Sequence, residues 1–202
     1  MKKYRWWVGL MLSSLLAAYG CGELGKVDQG RAIQFDKAKG TVTIIRDKKA
    51  DSQNPDYSHL PPMTYALPED SNEIGPDPKV GLRMKLDTKN KQIVIFDPAS
   101  QSFKTVNYTL IDQKEKIDKE DPLVYDKAKD KAIVFPMVDR AKKTITIYSK
   151  RQKILTTFSV PDEYLALPEN AWDSGDEVRV YYKEEGKAKR FMNITKTDIF
   201  KK

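Results

Sequence analysis

The chain has 202 residues, one cysteine, one histidine and a formal net charge of +7. A lone cysteine excludes an internal disulfide, and one histidine with scattered carboxylates does not make a transition-metal site. Mean hydropathy is low, yet segments rich in Thr, Val, Ile and Tyr recur at regular spacing, which separates the chain from disordered sequences.

The first element is N-terminal. Lys2, Lys3 and Arg5 precede an apolar run of 13 residues from Trp6 to Ala18. Such a run rises only about 20 Å as a helix, short of the roughly 30 Å hydrocarbon core of a bilayer. It therefore reads as a cleaved signal peptide over residues 1–20. Removing it leaves 182 residues with 33 basic and 29 acidic, a net +4, so part of the basic character belongs to the leader. The remaining excess is spread along the chain and concentrated in turns, which argues for solvated charge and against a nucleic-acid footprint. Cys21 directly follows the run, preceded by Gly20, Tyr19 and Ala18.

Residues 21–30 are polar and suit a tether. Ile33 and Phe35 alternate before a turn opened by Asp36 and closed by Gly40, and Val42 and Ile44 continue on a second strand. A polar loop carrying His59 leads to a third strand near Met63. Further alternation follows Gly81, from Leu82 to Leu86, then a charged turn and a strand from Gln92 to Phe96. Phe103 to Leu110 also reads as a strand. Residues 112–131 hold seven acidic and six basic side chains, a mixed run expected to be a solvated loop. Leu123-Val124-Tyr125 and Ala132 to Phe135 have the makings of a hairpin across residues 126–131.

The second half repeats the first. Asp139 to Ile147 answers Asp36 to Ile44, Ala166-Leu167-Pro168-Glu169 answers Ala66-Leu67-Pro68-Glu69, and Gly175 before Val178-Arg179-Val180 answers Gly81 before Met84-Lys85-Leu86. The offset drifts from 103 to 100 to 94, as when loops shorten and strands do not. A short helix is expected at residues 161–165. The expected fold is all-β: two tandem small β-barrels from an internal duplication, OB-like by the resemblance given below, with a single β-sandwich as the alternative. The barrels are expected at residues 31–98 and 133–202, joined by a connecting segment, 99–132, with extra strands.

Two resemblances add to this reading. Cys21 with its preceding Gly20 resembles the lipobox of bacterial lipoproteins, although Ala18 and Tyr19 depart from the usual Leu and small residue. The resemblance implies acylation of Cys21. Cys21-Gly22, Gly25 to Arg31, Lys85 to Pro98 and Asn193 to Lys202 together resemble an uncharacterised family of small bacterial lipoproteins with a domain of unknown function. No functional residues come with that resemblance. The alternating strands and turns of each half resemble the OB-like barrels of exported bacterial proteins, a fold that lends no activity by itself.

No catalytic set emerges. Ser58 lacks nucleophile-elbow spacing, and His59 has only Asp51 and Asp56 nearby. Asp118, Glu120 and Asp121, or Asp173 and Asp176, could serve a glycosidase only at a defined separation in a cleft. Trp172 and Tyr181 are the candidate recognition surface, with a buried Trp172 as the plainer reading. The expected protein is a non-enzymatic binding or scaffold module of the bacterial cell envelope, using no cofactor and no metal. It is anchored in the membrane by an N-terminal lipid, faces the periplasm or exterior, and meets an envelope protein or polymer and no nucleic acid. The alternatives are a small-ligand or metal carrier and a carboxylate-based enzyme acting on glycans.

Overall fold

The computed structural model describes residues 24–49, 51 and 54–197; the expected signal peptide, Cys21 and the last five residues lie outside this set. Its local order begins with the turns. The Asp36 carboxylate accepts a hydrogen bond from the Lys39 N–H at 3.0 Å, Asp87 from Asn90 at 2.9 Å and Asp139 from Lys142 at 2.9 Å. In each turn the residue after the bonded amide takes a left-handed backbone, with φ of 60° at Gly40, 54° at Lys91 and 55° at Lys143. Asp126 to Asp130 repeats the arrangement. The carboxylate closes the turn, and the left-handed residue brings the chain back in register with the preceding strand.

The protein is all-β, with several sheets. Five strands form a closed barrel in the order β1 (Lys26–Asp36), β13 (Glu177–Glu184), β14 (Lys187–Asn193), β3 (His59–Ala66) and β2 (Thr41–Arg46). The first half of β1 pairs with β13, from Lys26 opposite Tyr182 to Arg31 opposite Glu177, and its second half pairs with β2. A bulge between Ala32 and Gln34 lets one long strand bend between these partners. Lys26 to Gly30, expected in the tether, is thus barrel wall. The interior holds Val42, Ile44, Tyr65, Val178, Val180, Tyr182 and Phe191, all buried, on alternate residues of each strand as the period of two requires.

The middle of the chain builds a second, open layer. Strands β4 (Arg83–Asp87), β5 (Gln92–Asp97) and β6 (Ser102–Asn107) form one sheet; β7 (Thr109–Lys114), β12 (Ile154–Ser159), β11 (Thr144–Ser149) and β10 (Met137–Asp139) form another. Only Tyr108 separates β6 from β7, so residues 102–114 pair with β5 along one half and with β12 along the other. Tyr108 is buried at this corner, its ring 4.7 Å from that of Phe158. The two sheets share a core of Leu86, Ile93, Phe96, Val106, Ile145, Ile147 and Phe158, joined by Trp172. The short helix α1 (Asp162–Leu165) lies where it was expected and buries Leu165 in this core.

The tandem duplication into two barrels is not confirmed. Cross-strand threonine pairs do sit at matching places, Thr43 with Thr64 and Thr146 with Thr157, each at 2.9 Å between hydroxyl oxygens. The closing strands, however, lie across the repeat. β13 and β14, from the second repeat, close the barrel of β1 to β3, while β4 and β5, from the first, share a core with β11 and β12. The chain segments cross at Gly81 and Gly175, the two glycines that answer each other in sequence. A Cβ on Gly81 would stand 2.2 Å from the Gly175 nitrogen, so the crossing admits no side chain there. Around it the Gly81 N–H donates to the Ala32 carbonyl at 3.1 Å, Ala32 to Asp176 at 3.0 Å and Asp176 to Lys79 at 2.7 Å.

The central segment is only partly solvated. Strands β8 (Tyr125–Asp126) and β9 (Lys131–Ala132) form the expected hairpin, while Ile117 and Val124 are buried. The Tyr148 hydroxyl donates to the Ile117 carbonyl at 2.9 Å, and the Phe135 and Tyr148 rings lie 6.0 Å apart. These contacts hold the segment against β11. Among the described residues no helix is long and apolar enough to cross a membrane.

Candidate functional site

Between the central segment, β11 and the loop of residues 172–177 lies a cleft of about 1000 Å³. That is the upper end of the size range of small-molecule sites. Its lining includes an apolar patch of Val124, Ile133, Phe135, Pro136 and Tyr148, charged residues of the central segment and the turn after β11 such as Lys119, Glu120, Lys127, Asp130 and Lys150, and a charged floor of Arg31, Lys79, Arg83, Asp173, Asp176 and Glu177.

Each floor residue is placed by a specific piece of backbone. Arg31 leaves β1 just before the bulge; its Nη1 donates to the Gly175 carbonyl at 2.9 Å, and its guanidinium stands 4.7 Å from the centre of the Tyr57 ring. Arg83 opens β4, where the register shifts between Arg83 and Lys85. That irregularity takes Arg83 out of the plain alternation and into the interior, where it is only 9% exposed. Its Nε donates to the Trp172 carbonyl at 2.8 Å. Burial, and then the nearby positive charge of Arg31, lowers the Arg83 pKa from 12.5 to about 10, with Asp173 acting in the opposite sense. It stays cationic at neutral pH but is poorly solvated.

The carboxylates are largely satisfied. Asp173 pairs with the Lys79 ammonium and accepts from the Gly175 N–H at 3.0 Å. Asp176 accepts from the Lys79 N–H and from Asn193 Nδ2, each at 2.8 Å, with Lys196 Nζ 3.5 Å away. Glu177 pairs with Arg151 at 2.9 Å and accepts from Gln29 at 2.5 Å. The arginines are not satisfied in this way. Neither Arg31 nor Arg83 has a carboxylate within salt-bridge distance among the described residues, and Arg31 Nε is buried without a partner. Burial also pushes the Tyr57 hydroxyl up to about 12, against the opposing charge of Arg31.

The residues singled out in the sequence are dispersed. Trp172 is fully buried, its ring 6.3 Å from that of Phe158, and it reaches the cleft from beneath. Tyr181 is half-buried on β13 with its ring over Gly25, away from the cleft lining. The two therefore do not assemble one recognition face. His59 begins β3 opposite Arg46, also outside the cleft. Among the described residues no three His, Cys, Asp or Glu side chains are grouped to hold a metal ion. Asp173 and Asp176 do share the cleft, as a glycan-acting pair would require, but both are engaged by lysine and backbone donors. Arg31 and Arg83 were not singled out in the sequence. Arg83 sits in an alternating strand beside the exposed Lys85, and only the bulge separates their fates.

The matched family is the Domain of unknown function (DUF4881), over residues 23–202. The chain belongs to that family. No curated protein and no solved structure matches it. Membership of DUF4881 thus places the whole described barrel and open layer in one family unit, and leaves its chemistry to be argued from the cleft.

Proposed function

We propose that this DUF4881 protein is a non-enzymatic binding module of the bacterial cell envelope, held at a membrane by an acylated Cys21, and that the cleft over Arg31 and Arg83 is its recognition site. One observation carries the binding part of this reading: a cleft of about 1000 Å³ whose floor holds a 9%-exposed arginine with no carboxylate partner among the described residues. Folding alone gains little from burying such a cation, since desolvation opposes it and its single described hydrogen bond goes to a neutral carbonyl. The anchoring part is supported by the apolar leader followed by Cys21.

Within this reading a small-ligand carrier is favoured over a flat protein scaffold, because the polar groups converge in a concavity. Two measurements test the proposal. The intact mass of protein recovered from membranes should show a lipid-modified N-terminal Cys21, and a free thiol there would remove the anchor. Photo-crosslinking from a probe placed at Val134 in cells should recover a bound species. Recovery of background alone, together with substrate turnover by the purified protein, would overturn the binding role.

A further inference from the structure

The cleft has an apolar patch beside a charged floor, within a lining that also carries Lys119, Glu120, Lys127, Asp130 and Lys150, and this arrangement limits what it can hold. At the floor Lys79 pairs with Asp173, Lys196 lies near Asp176, and Arg151 pairs with Glu177, which leaves Arg31 and Arg83 as two neighbouring floor cations without a carboxylate partner among the described residues. Arg83 makes one described hydrogen bond, through Nε, so its two Nη nitrogens have no described protein acceptor. Guanidinium groups present paired N–H donors in the geometry of a carboxylate or phosphate, and such pairing is strongest where water is excluded. Above the floor the wall offers Ile133, Phe135, Pro136 and Tyr148, with Val134 exposed by 66% at the rim.

We propose that the cleft binds an amphiphile with a single oxyanionic head, carboxylate or phosphate, whose head meets Arg83 and Arg31 and whose apolar body lies against Ile133, Phe135 and Tyr148. This deepens the binding reading above and rests on it. Charge complementarity selects the occupant: a cationic or neutral head would leave both guanidiniums unpaired, and a bare anion would leave the wall wet. Arg31 and Arg83 also hold the loop of residues 172–177 through its carbonyls, and an oxyanion there would offset the repulsion between them while leaving those bonds in place.

The test is calorimetric titration of the purified full-length chain with octanoate, octyl phosphate, octanol, octylamine and inorganic phosphate. At least one anionic amphiphile should bind with one-to-one stoichiometry, about tenfold or more tighter than octanol. The tighter of octanoate and octyl phosphate identifies the head. Arg83→Gln should bring that ligand down to the octanol level. Because Arg83 is buried and the variant could unfold, Val134→Asp provides a second arm at an exposed site. It should weaken the same ligand about fivefold or more with the thermal midpoint unchanged.

Octanol or octylamine binding as tightly as the anions would overturn the anionic head while leaving a binding role standing. Inorganic phosphate binding as tightly as octyl phosphate would overturn the apolar half. An affinity unchanged in both variants would place the ligand elsewhere and sink the assignment. Silence from every probe would sink it as well, and the crosslinking experiment then decides separately whether the cleft binds anything.

Discussion

The barrel and the open layer are built from the same strand and turn vocabulary, and they differ in how their edges end. In the barrel every strand finds two neighbours, and the interior is filled by Tyr65, Phe191 and the valines and isoleucines between them. Even its polar end is closed, with the Tyr65 and Tyr182 hydroxyls both donating to Asp28 and Arg46 Nη1 3.5 Å from the same carboxylate. In the open layer β10 is a short edge strand, and the chain before it folds back over β11 without filling the space. Closure removes edges and leaves no room. An uncovered sheet edge with a long connection leaves a cleft, and here the two arginines without a described carboxylate partner lie in it.

The sharpest way to break this comparison is to ask whether the two regions unfold separately. Phe191→Ala in the barrel and Phe158→Ala in the open layer each remove a fully buried ring and should cost about 3–5 kcal/mol. Because the segments around Gly81 and Gly175 cross between them, both variants should lower one shared calorimetric transition. Two resolved transitions, one per variant, would show the regions to be independent.

Gly81→Ala acts on the crossing itself. Its Cβ would stand within 2.7 Å of backbone atoms of Asp173 and Gly175, and the variant should lose about 3 kcal/mol by chemical denaturation. A neutral result would mean that the crossing yields easily and that the two regions are weakly tied. Tyr65→Phe, which removes one donor from Asp28 at the closed end of the barrel, should cost about 2 kcal/mol and leave probe binding at the cleft unchanged. Altered binding would show that the barrel end and the cleft are coupled.

The smallest effect is that of pH. Asp87 is lowered from 3.8 to about 2, first by the Asn90 N–H and then by Lys85; Asp97 is lowered to about 2, first by Lys104 and then by Ser100 and Ala99. A carboxylate whose pKa is depressed on folding contributes stability that is present above the unfolded value and lost as pH falls through the folded one. Both groups bound the turns of β5, so the two largest acid-labile contributions lie in the open layer, while Asp36 in the barrel is lowered in the same sense by the Lys39 N–H. Thermal midpoints measured from pH 5 to pH 2 should fall below pH 4, and Asp97→Asn should flatten that slope. An unchanged slope would remove Asp97 from the acid response. Their lysine partners, Lys85 and Lys104, are more than half exposed, so solvent screens the pairs and the change is small.

Much of the fold was legible in the chain. The period of two placed Val42 and Ile44 on one buried face, the Asp-headed turns marked the hairpins, and residues 161–165 announced their short helix. The connecting hairpin of residues 125–132 was also readable, from two short apolar runs around a charged turn. The candidate site was less so. Leu82 to Leu86 alternates cleanly by composition, and nothing in it says that Arg83 turns inward while Lys85 stays in water; the register shift that decides this is a property of the pairing with β5.

What the sequence by itself determined, then, is the all-β class and most local elements, because turn chemistry and side-chain alternation act over a few residues. Which strand closes which layer was decided only in three dimensions. Two repeats with the same hydrophobic pattern offer interchangeable partners, so β13 and β14 can complete the barrel begun by β1 to β3 while β4 and β5 face β11 and β12. The narrow crossing at Gly81 and Gly175 permits that exchange, since only two residues without side chains fit there. The cleft is a consequence of the same choice, because it gathers Arg31 from β1, Arg83 from β4 and the 172–177 loop, which no local pattern could have brought together.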